Sequence, residues 1–179
     1  MLEGKNVNLR AVEKEDLPLL TDWFNNPEVV GKYQGMRQWS RSEFEKEFGA
    51  EDKHEERIFF IEKKDGTKIG IITHFYLLHP AGRLLEIGYI MLPSERGKGY
   101  CTEAVNIMVD YLFLSKDMMR IQATTDVRNL ASQRVLERAG FKKEGTLRKT
   151  GLVRGVWTDD HLYSILREEW KEPRILTSK

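Results

Sequence analysis

The chain has 179 residues, 40% of them hydrophobic and 32% charged, a length and balance that fit one soluble globular domain and exclude a disordered or membrane-embedded chain. Its 29 basic and 28 acidic residues nearly cancel, so no global field draws it to nucleic acid, and partners must be read from local patches. The single cysteine, Cys101, excludes an internal disulfide; without an apolar leader or a long apolar run, a cytoplasmic protein with no membrane partner is expected.

A first strand is expected from Lys5 to Val12, followed by acidic residues Glu13, Glu15 and Asp16 at the start of a helix carrying Leu17, Leu19, Leu20, Trp23 and Phe24. Asn25-Asn26-Pro27 ends that helix, and Val29 to Trp39 carries no clear period. Ser40 and Glu43 form a capping box ahead of Phe44 and Phe48, which stand one turn apart on a second helix. Arg57–Glu62 and Ile69–Leu77 read as strands joined near Asp65-Gly66, a dipeptide suited to a hairpin. His79-Pro80-Ala81-Gly82 marks the next turn, and the apolar run Leu84–Leu92 is a third neighbouring antiparallel strand, stopped by Pro93.

Arg96-Gly97-Lys98-Gly99-Tyr100-Cys101-Thr102 then joins that strand to a helix carrying Ala104, Val105, Met108, Tyr111, Leu112 and Leu114. Glycines at 97 and 99 let bare backbone approach a ligand, and the N–H groups of a first helical turn lack intrahelical partners, so the segment suits a phosphate. The pattern is neither a Walker loop, because no G-K-[ST] follows, nor a dinucleotide fingerprint, because position 102 is Thr. A strand at Arg120–Thr125 follows, then a helix capped by Asn129 and ended by Gly140. Strands at Lys142–Thr150 and Asp159–Leu166 flank a turn at Arg154-Gly155. Residues 1–170 form the expected domain and 171–179 (KEPRILTSK) a loose tail.

The R-G-K-G turn, together with Asn129-Leu130-Ala131-Ser132-Gln133-Arg134-Val135-Leu136-Glu137-Arg138-Ala139-Gly140-Phe141, resembles the GNAT superfamily of acetyl-CoA-dependent N-acetyltransferases, and within it the branch that acetylates ribosomal-protein N-termini. The resemblance runs from Val7-Asn8-Leu9-Arg10-Ala11 to Trp170. It implies an α/β (α+β) GNAT-like fold: a mixed, strongly twisted sheet of about six to seven strands, splayed at the cofactor site and flanked by about four helices. In that family the strand matching Leu84–Leu92 carries a bulge and splays from the strand matching Arg120–Thr125, and the acetyl-pantetheine arm lies between them.

By that likeness, main-chain groups of Ile90, Met91 and Leu92 bind the pantetheine amides, and an N–H near Met91 polarises the thioester carbonyl. The N–H groups from Gly97 through Lys98, Gly99, Tyr100 and Cys101 to Thr102 take the pyrophosphate, with charge added by the Arg96 and Lys98 side chains. Asn129 is a helix cap, a coenzyme contact, or both; Ser132 is structural or donates a proton to the departing thiolate. In several relatives a tyrosine one turn deeper is the acid, but Val135 occupies that position and cannot donate, which leaves Ser132 or water. Glu86, inside an apolar run, is paired, exposed, or a base acting through water; His74 and Tyr76 are candidates for the same cleft. Cys101 at a helix N-terminus is expected to have a lowered thiol pKa and to be open to alkylation. No histidine spacing suggests a metal, and none is expected.

The acceptor groove implied by the resemblance runs from Trp23 to Trp39 and from Lys149 to Asp160, with Tyr33, Trp39 and Trp157 as aromatics. A protein α-amine is the first acceptor expected; a polyamine, aminoglycoside or other small amine is the second, and a non-catalytic acetyl-CoA-binding module the third. Homodimers occur among relatives, so a homodimer joins these expectations.

Overall fold

The computed structural model describes residues 1–48, 57–79, 82–170 and 172–176. Within them one sheet of eight strands runs in the order β1-β2-β3-β4-β5-β6-β8-β7. The strands are β1 (Leu2–Glu3), β2 (Val7–Ala11), β3 (Arg57–Lys63), β4 (Lys68–His79), β5 (Gly82–Met91), β6 (Arg120–Asp126), β7 (Lys142–Val153) and β8 (Val156–Leu166). The helices are α1 (Leu17–Asn25), α2 (Pro27–Val30), α3 (Arg41–Phe48), α4 (Tyr100–Ser115), α5 (Leu130–Arg138) and α6 (Arg167–Trp170). Two of these six, α2 and α6, are single turns of four residues, so four longer helices flank the sheet. The strand beyond the expected seven is the two-residue β1.

Local chemistry accounts for most boundaries. Ser40 Oγ accepts from the Glu43 N–H and the Glu43 carboxylate accepts from the Ser40 N–H, the reciprocal capping box. Gly66 turns the β3–β4 hairpin at φ 83°. The Gly140 N–H donates to Glu137 and the Phe141 N–H to Leu136, a Schellman end to α5 that needs Gly140 at its φ of 93°. Pro27 does not leave the chain irregular: the Asn26 side chain accepts from the Glu28 N–H, and Pro27 starts α2. The expected turn at His79–Gly82 lies partly outside the described residues; β4 and β5 are paired up to His79↔Gly82.

Strand alternation gives the sheet two apolar faces. One, with Leu85, Ile87 and Met91 of β5, packs against Val105, Met108 and Leu112 of α4 and Leu136 of α5. The other, with Phe60, Ile71 and Ile90, takes Leu17 and Leu20 of α1 and Phe44 of α3. Full burial of each such side chain contributes on the order of 2 kcal/mol.

The tail differs from expectation. Asp110 of α4 is fully buried and accepts from the Trp170 indole and from the N–H groups of Arg174, Ile175 and Leu176. The Arg174 guanidinium also donates to the Ala139 carbonyl at 2.8 Å. Residues 172–176 are therefore docked rather than loose, because their backbone donors satisfy a carboxylate that would otherwise be buried unpaired.

Candidate active site

One pair of strands is parallel, and it is paired only briefly. β5 meets β6 at Leu85↔Ile121 and Glu86↔Gln122 alone, while β6 stays paired with β8 along its length, from Arg120↔Leu166 to Asp126↔Asp160. Beyond Glu86 and Gln122 the two strands diverge and open a wedge. The bulge expected in β5 is absent from its pairing with β4, which keeps an unbroken register from Gly70↔Met91 to His79↔Gly82; divergence from β6 alone makes the gap.

Alternation also decides which main-chain groups face the wedge. The Leu92 N–H donates to the Ile69 carbonyl at 2.9 Å, so Leu92, and by the antiparallel pattern Ile90, spend their main-chain groups on β4. Met91 and Tyr89 turn theirs toward β6. Of the three residues expected to offer backbone, only Met91 is suitably placed, and its carbonyl is taken by Arg96 Nε at 3.0 Å, leaving the N–H directed at the gap.

The wedge continues into a cavity of about 660 Å³. β5 and β6 contribute Gly88, Tyr89, Thr124 and Asp126, and the α5 start contributes Asn129 and Ser132. Its far wall is Phe24, Tyr33, Arg37, Trp39 and Glu47 from the N-terminal helices and the segment joining them, with Gly151, Leu152 and Asp160 from the β7–β8 hairpin. The expected acceptor elements thus meet here, apart from Trp157, which is 57% exposed on the hairpin and does not line the cavity. The Trp39 main chain is fixed by both ends of the Asn25 amide, at 2.8 Å each.

At the wedge's open end, Gly97 and Gly99 have φ values of 78° and 85°, and a Cβ added to either would meet nothing within 4 Å. The first helical bond of α4 runs from the Glu103 N–H to the Gly99 carbonyl. The N–H groups of Tyr100, Cys101 and Thr102 therefore have no intrahelical acceptor. Glu103, the only acid of the first turn, is drawn away to Asn6 and Val7. An open, glycine-lined helix start with unspent main-chain donors, its first-turn acid Glu103 turned away, fits a pyrophosphate.

The basic side chains there behave differently from expectation. Arg96 Nη2 donates to the Glu28 and Val29 carbonyls, at 3.1 and 2.9 Å, while its Nε holds Met91. Its guanidinium ties the end of β5 to α2 instead of adding charge to the cradle. Lys98 pairs with Glu95 at 3.1 Å, and Glu95 also holds Lys63. Burial pushes the Cys101 thiol up to about 12, against the expected lowering: the residue is partly exposed, but its side chain packs against the α4 core.

The other expected site residues are placed as follows. Glu86 is 8% exposed and sits at the wedge's vertex, with one oxygen accepting from Gln122 Nε2 and the other from Thr124 Oγ1, both at 2.8 Å. It does not line the cavity, whereas Thr124 does. His74 and Tyr76 point to the opposite sheet face: His74 packs on Phe59 and Tyr111, and Tyr76 on the α4 core. Their neighbours Thr73 and Phe75 line the cavity instead, as a period of two requires. Asn129 caps α5 by accepting from the Ser132 N–H at 3.2 Å.

Sequence reasoning missed Tyr89. Its phenol lies 2.8 Å from Ser132 Oγ and 3.2 Å from the Ser132 carbonyl, and burial first, then the nearby Cys101, raises its pKa well above the ordinary range. The signal available was a polar-tipped aromatic inside the apolar run Leu84–Leu92, since a buried Tyr O–H usually finds a partner.

The chain is similar to known proteins along most of its length. A family model described as an acetyltransferase (GNAT) domain matches residues 6–142. The probable N-acetyltransferase YjcK of Bacillus subtilis is 33% identical over 181 residues, covering 94% of this chain and 98% of that protein. YdaF of the same organism, a candidate ribosomal N-acetyltransferase, is 35% identical over 107 residues, covering 60% of this chain and 58% of that protein. The crystal structure of spermidine N-acetyltransferase from Vibrio cholerae in complex with CoA and spermine superimposes with a TM-score of 0.82 at 25% identity, covering 93% of this chain and 99% of that one. The family match takes in the wedge, the glycine turn and the capped helix, so the chain belongs to the GNAT acetyltransferases and is an acetyl-CoA-dependent N-acetyltransferase.

Proposed function

We propose that the acceptor is the α-amino group of a peptide, a ribosomal-protein N-terminus in the first instance. The observation that carries this reading is the state of Glu86. Each of its oxygens accepts one bond, from Gln122 and from Thr124, and Glu86 does not line the cavity, so no carboxylate at the vertex stands open to the cavity to strip a proton from a strongly basic amine. At pH 7 about a tenth of an α-amino group with a pKa near 8 is already neutral without such help, roughly 200-fold more than of an alkyl ammonium with a pKa near 10.4. Thr124 gives its proton to Glu86, and its lone pairs face the cavity, where they accept from an incoming amine N–H.

When bound, acetyl-CoA supplies the acetyl group as a thioester. Gly97, Gly99, Tyr100, Cys101 and Thr102 would hold its pyrophosphate through main-chain N–H groups, and the Met91 N–H would be the donor for charge developing on the acetyl oxygen. The free amide hydrogens of Asn129 serve as a further coenzyme contact, and Ser132 supplies a proton at the sulfur. The homodimer implied by the resemblance belongs to the same proposal, and sedimentation of the free protein tests it.

A second reading is favoured by the likeness to the Vibrio cholerae spermidine N-acetyltransferase and by Glu47, Asp126 and Asp160 in the cavity wall: a polyamine acceptor. Against it, Asp126 is already paired with Arg128 at 2.6 Å and Asp160 accepts from Thr150 at 2.9 Å. Thiol release from acetyl-CoA, with short free-N-terminus peptides, their N-formylated counterparts and spermidine, separates the two. The first reading predicts release with free peptides alone. A kcat/KM for spermidine at least about tenfold above every peptide would replace it with the second.

A further inference from the structure

Tyr89 and Ser132 come from different elements, β5 and α5, yet their hydroxyls meet at 2.8 Å beside the wedge. The hydroxyl pair can be bonded in either direction: the phenol's one proton goes to Ser132 Oγ at 2.8 Å, or it goes to the Ser132 carbonyl at 3.2 Å while Ser132 Oγ donates to the phenol. That carbonyl lies within α5, where it accepts from the N–H four residues on, and the hydroxyl contact is the shorter. With Tyr89 donating to Ser132 Oγ, the serine oxygen has spent an acceptor site, and its own hydrogen is the one free to point elsewhere. Because Ser132 lines the cavity, the wedge is where that hydrogen can go.

We propose that Tyr89 is a positioning residue: its phenol fixes the Ser132 hydroxyl rotor so that the serine proton is presented to the coenzyme sulfur. This rests on the reading of Ser132 as proton donor. In the step itself, the acceptor nitrogen bonds to the acetyl carbon, the carbon–sulfur bond breaks with its electron pair going to sulfur, and the Ser132 proton passes to sulfur. The proton that the amine loses to solvent balances the one that Ser132 then regains from solvent. Tyr89 keeps its own proton throughout. Burial holds the phenol far above its ordinary pKa, so it stays a donor at every working pH, and a donated bond makes the serine O–H a stronger donor in turn. The ionisable groups coupled to it are Cys101, itself held protonated, and Tyr163, whose phenol donates to Glu137 at 3.1 Å.

The test needs no acceptor. The thiol of bound CoA is titrated by ultraviolet absorbance, as the difference between the CoA complex and the complex of desulfo-CoA, for the wild type, Tyr89→Phe, Ser132→Ala and the double variant. A hydroxyl aimed at sulfur stabilises thiolate, so wild-type-bound thiol titrates below free CoA. Tyr89→Phe moves it up by about half a unit to one unit, and the double variant matches Ser132→Ala alone. In turnover, Tyr89→Phe lowers kcat about tenfold, with KM for acetyl-CoA within about twofold. An unchanged titration in Tyr89→Phe beside a shifted one in Ser132→Ala overturns the inference and leaves the serine reading standing. An additive double variant overturns it too, because Tyr89 would then act on sulfur by another route. No shift in Ser132→Ala, or no binding of CoA, removes the underlying reading and the inference together.

Discussion

Cys101 is the residue at which local rules and tertiary context pull hardest against each other. A thiol at the second position of a helix is favoured as thiolate by the helix dipole, yet burial against the α4 core pushes it up to about 12. The native protein should therefore react with iodoacetamide at pH 8 at least about tenfold more slowly than the urea-unfolded chain, as followed by mass spectrometry; equal rates would put the thiol outside the core. Tyr89 gives the complementary lesson. Its position inside an apolar strand run marks it for burial, but nothing in the run says that the phenol would reach a serine 43 residues later. What the sequence does reveal at this scale is conformational: Gly97, Gly99 and Gly140 each stand where a positive φ was needed, because only glycine takes that conformation without cost.

At the scale of elements, strand and helix limits followed local chemistry closely, from the Ser40 cap to the Gly140 end of α5. The C-terminal segment did not, since its polar composition hid a partner more than 60 residues upstream. The available clue was Asp110, a carboxylate within the otherwise apolar run Ile107–Phe113. Asp110→Ala strips the acceptor from three backbone N–H groups and an indole, and it should lower the unfolding free energy in urea by about 3 kcal/mol. Deleting residues 172–179 in the Asp110→Ala background should add little to that loss. A loss below about 0.5 kcal/mol on Asp110→Ala would mean that the docked segment contributes nothing to the fold. Arg96 shows a similar displacement of role: read as a phosphate ligand, it instead links the end of β5 to α2.

Across the whole molecule, β5 serves both the apolar core and the cavity lining, while a charged cluster holds the other end of the sheet. On β2, three strands from β5, Arg10 bridges Asp16 and Glu62, and Lys68 reaches Asp16 at 2.9 Å. Burial alone would raise the Asp16 carboxyl, but hydrogen bonds from Arg10 and Lys68 hold it well below the ordinary range. A carboxylate depressed in the folded state stabilises the fold above its unfolded pKa of about 3.9, and that stability is lost as pH falls toward the folded value. The unfolding free energy of the wild type should exceed that of Asp16→Asn at pH 6, and the gap should narrow steadily below about pH 4; a constant gap would contradict the pairing.

The wedge itself was legible only through resemblance, because the parallel pairing of β5 with β6 for two residues and no more is a property of register across the sheet, which no single segment encodes. The most direct test of the account is therefore a calorimetric titration of CoA into the wild type and into Gly99→Asp. The Cβ at position 99 enters open space, so the variant should fold, with an unfolding midpoint only a few degrees lower. Its carboxylate would stand at the α4 start proposed for the pyrophosphate. The account predicts CoA binding to the wild type and a loss of at least about 100-fold in affinity in the folded variant; equal affinity in the two proteins would place the coenzyme somewhere other than the start of α4 and contradict it.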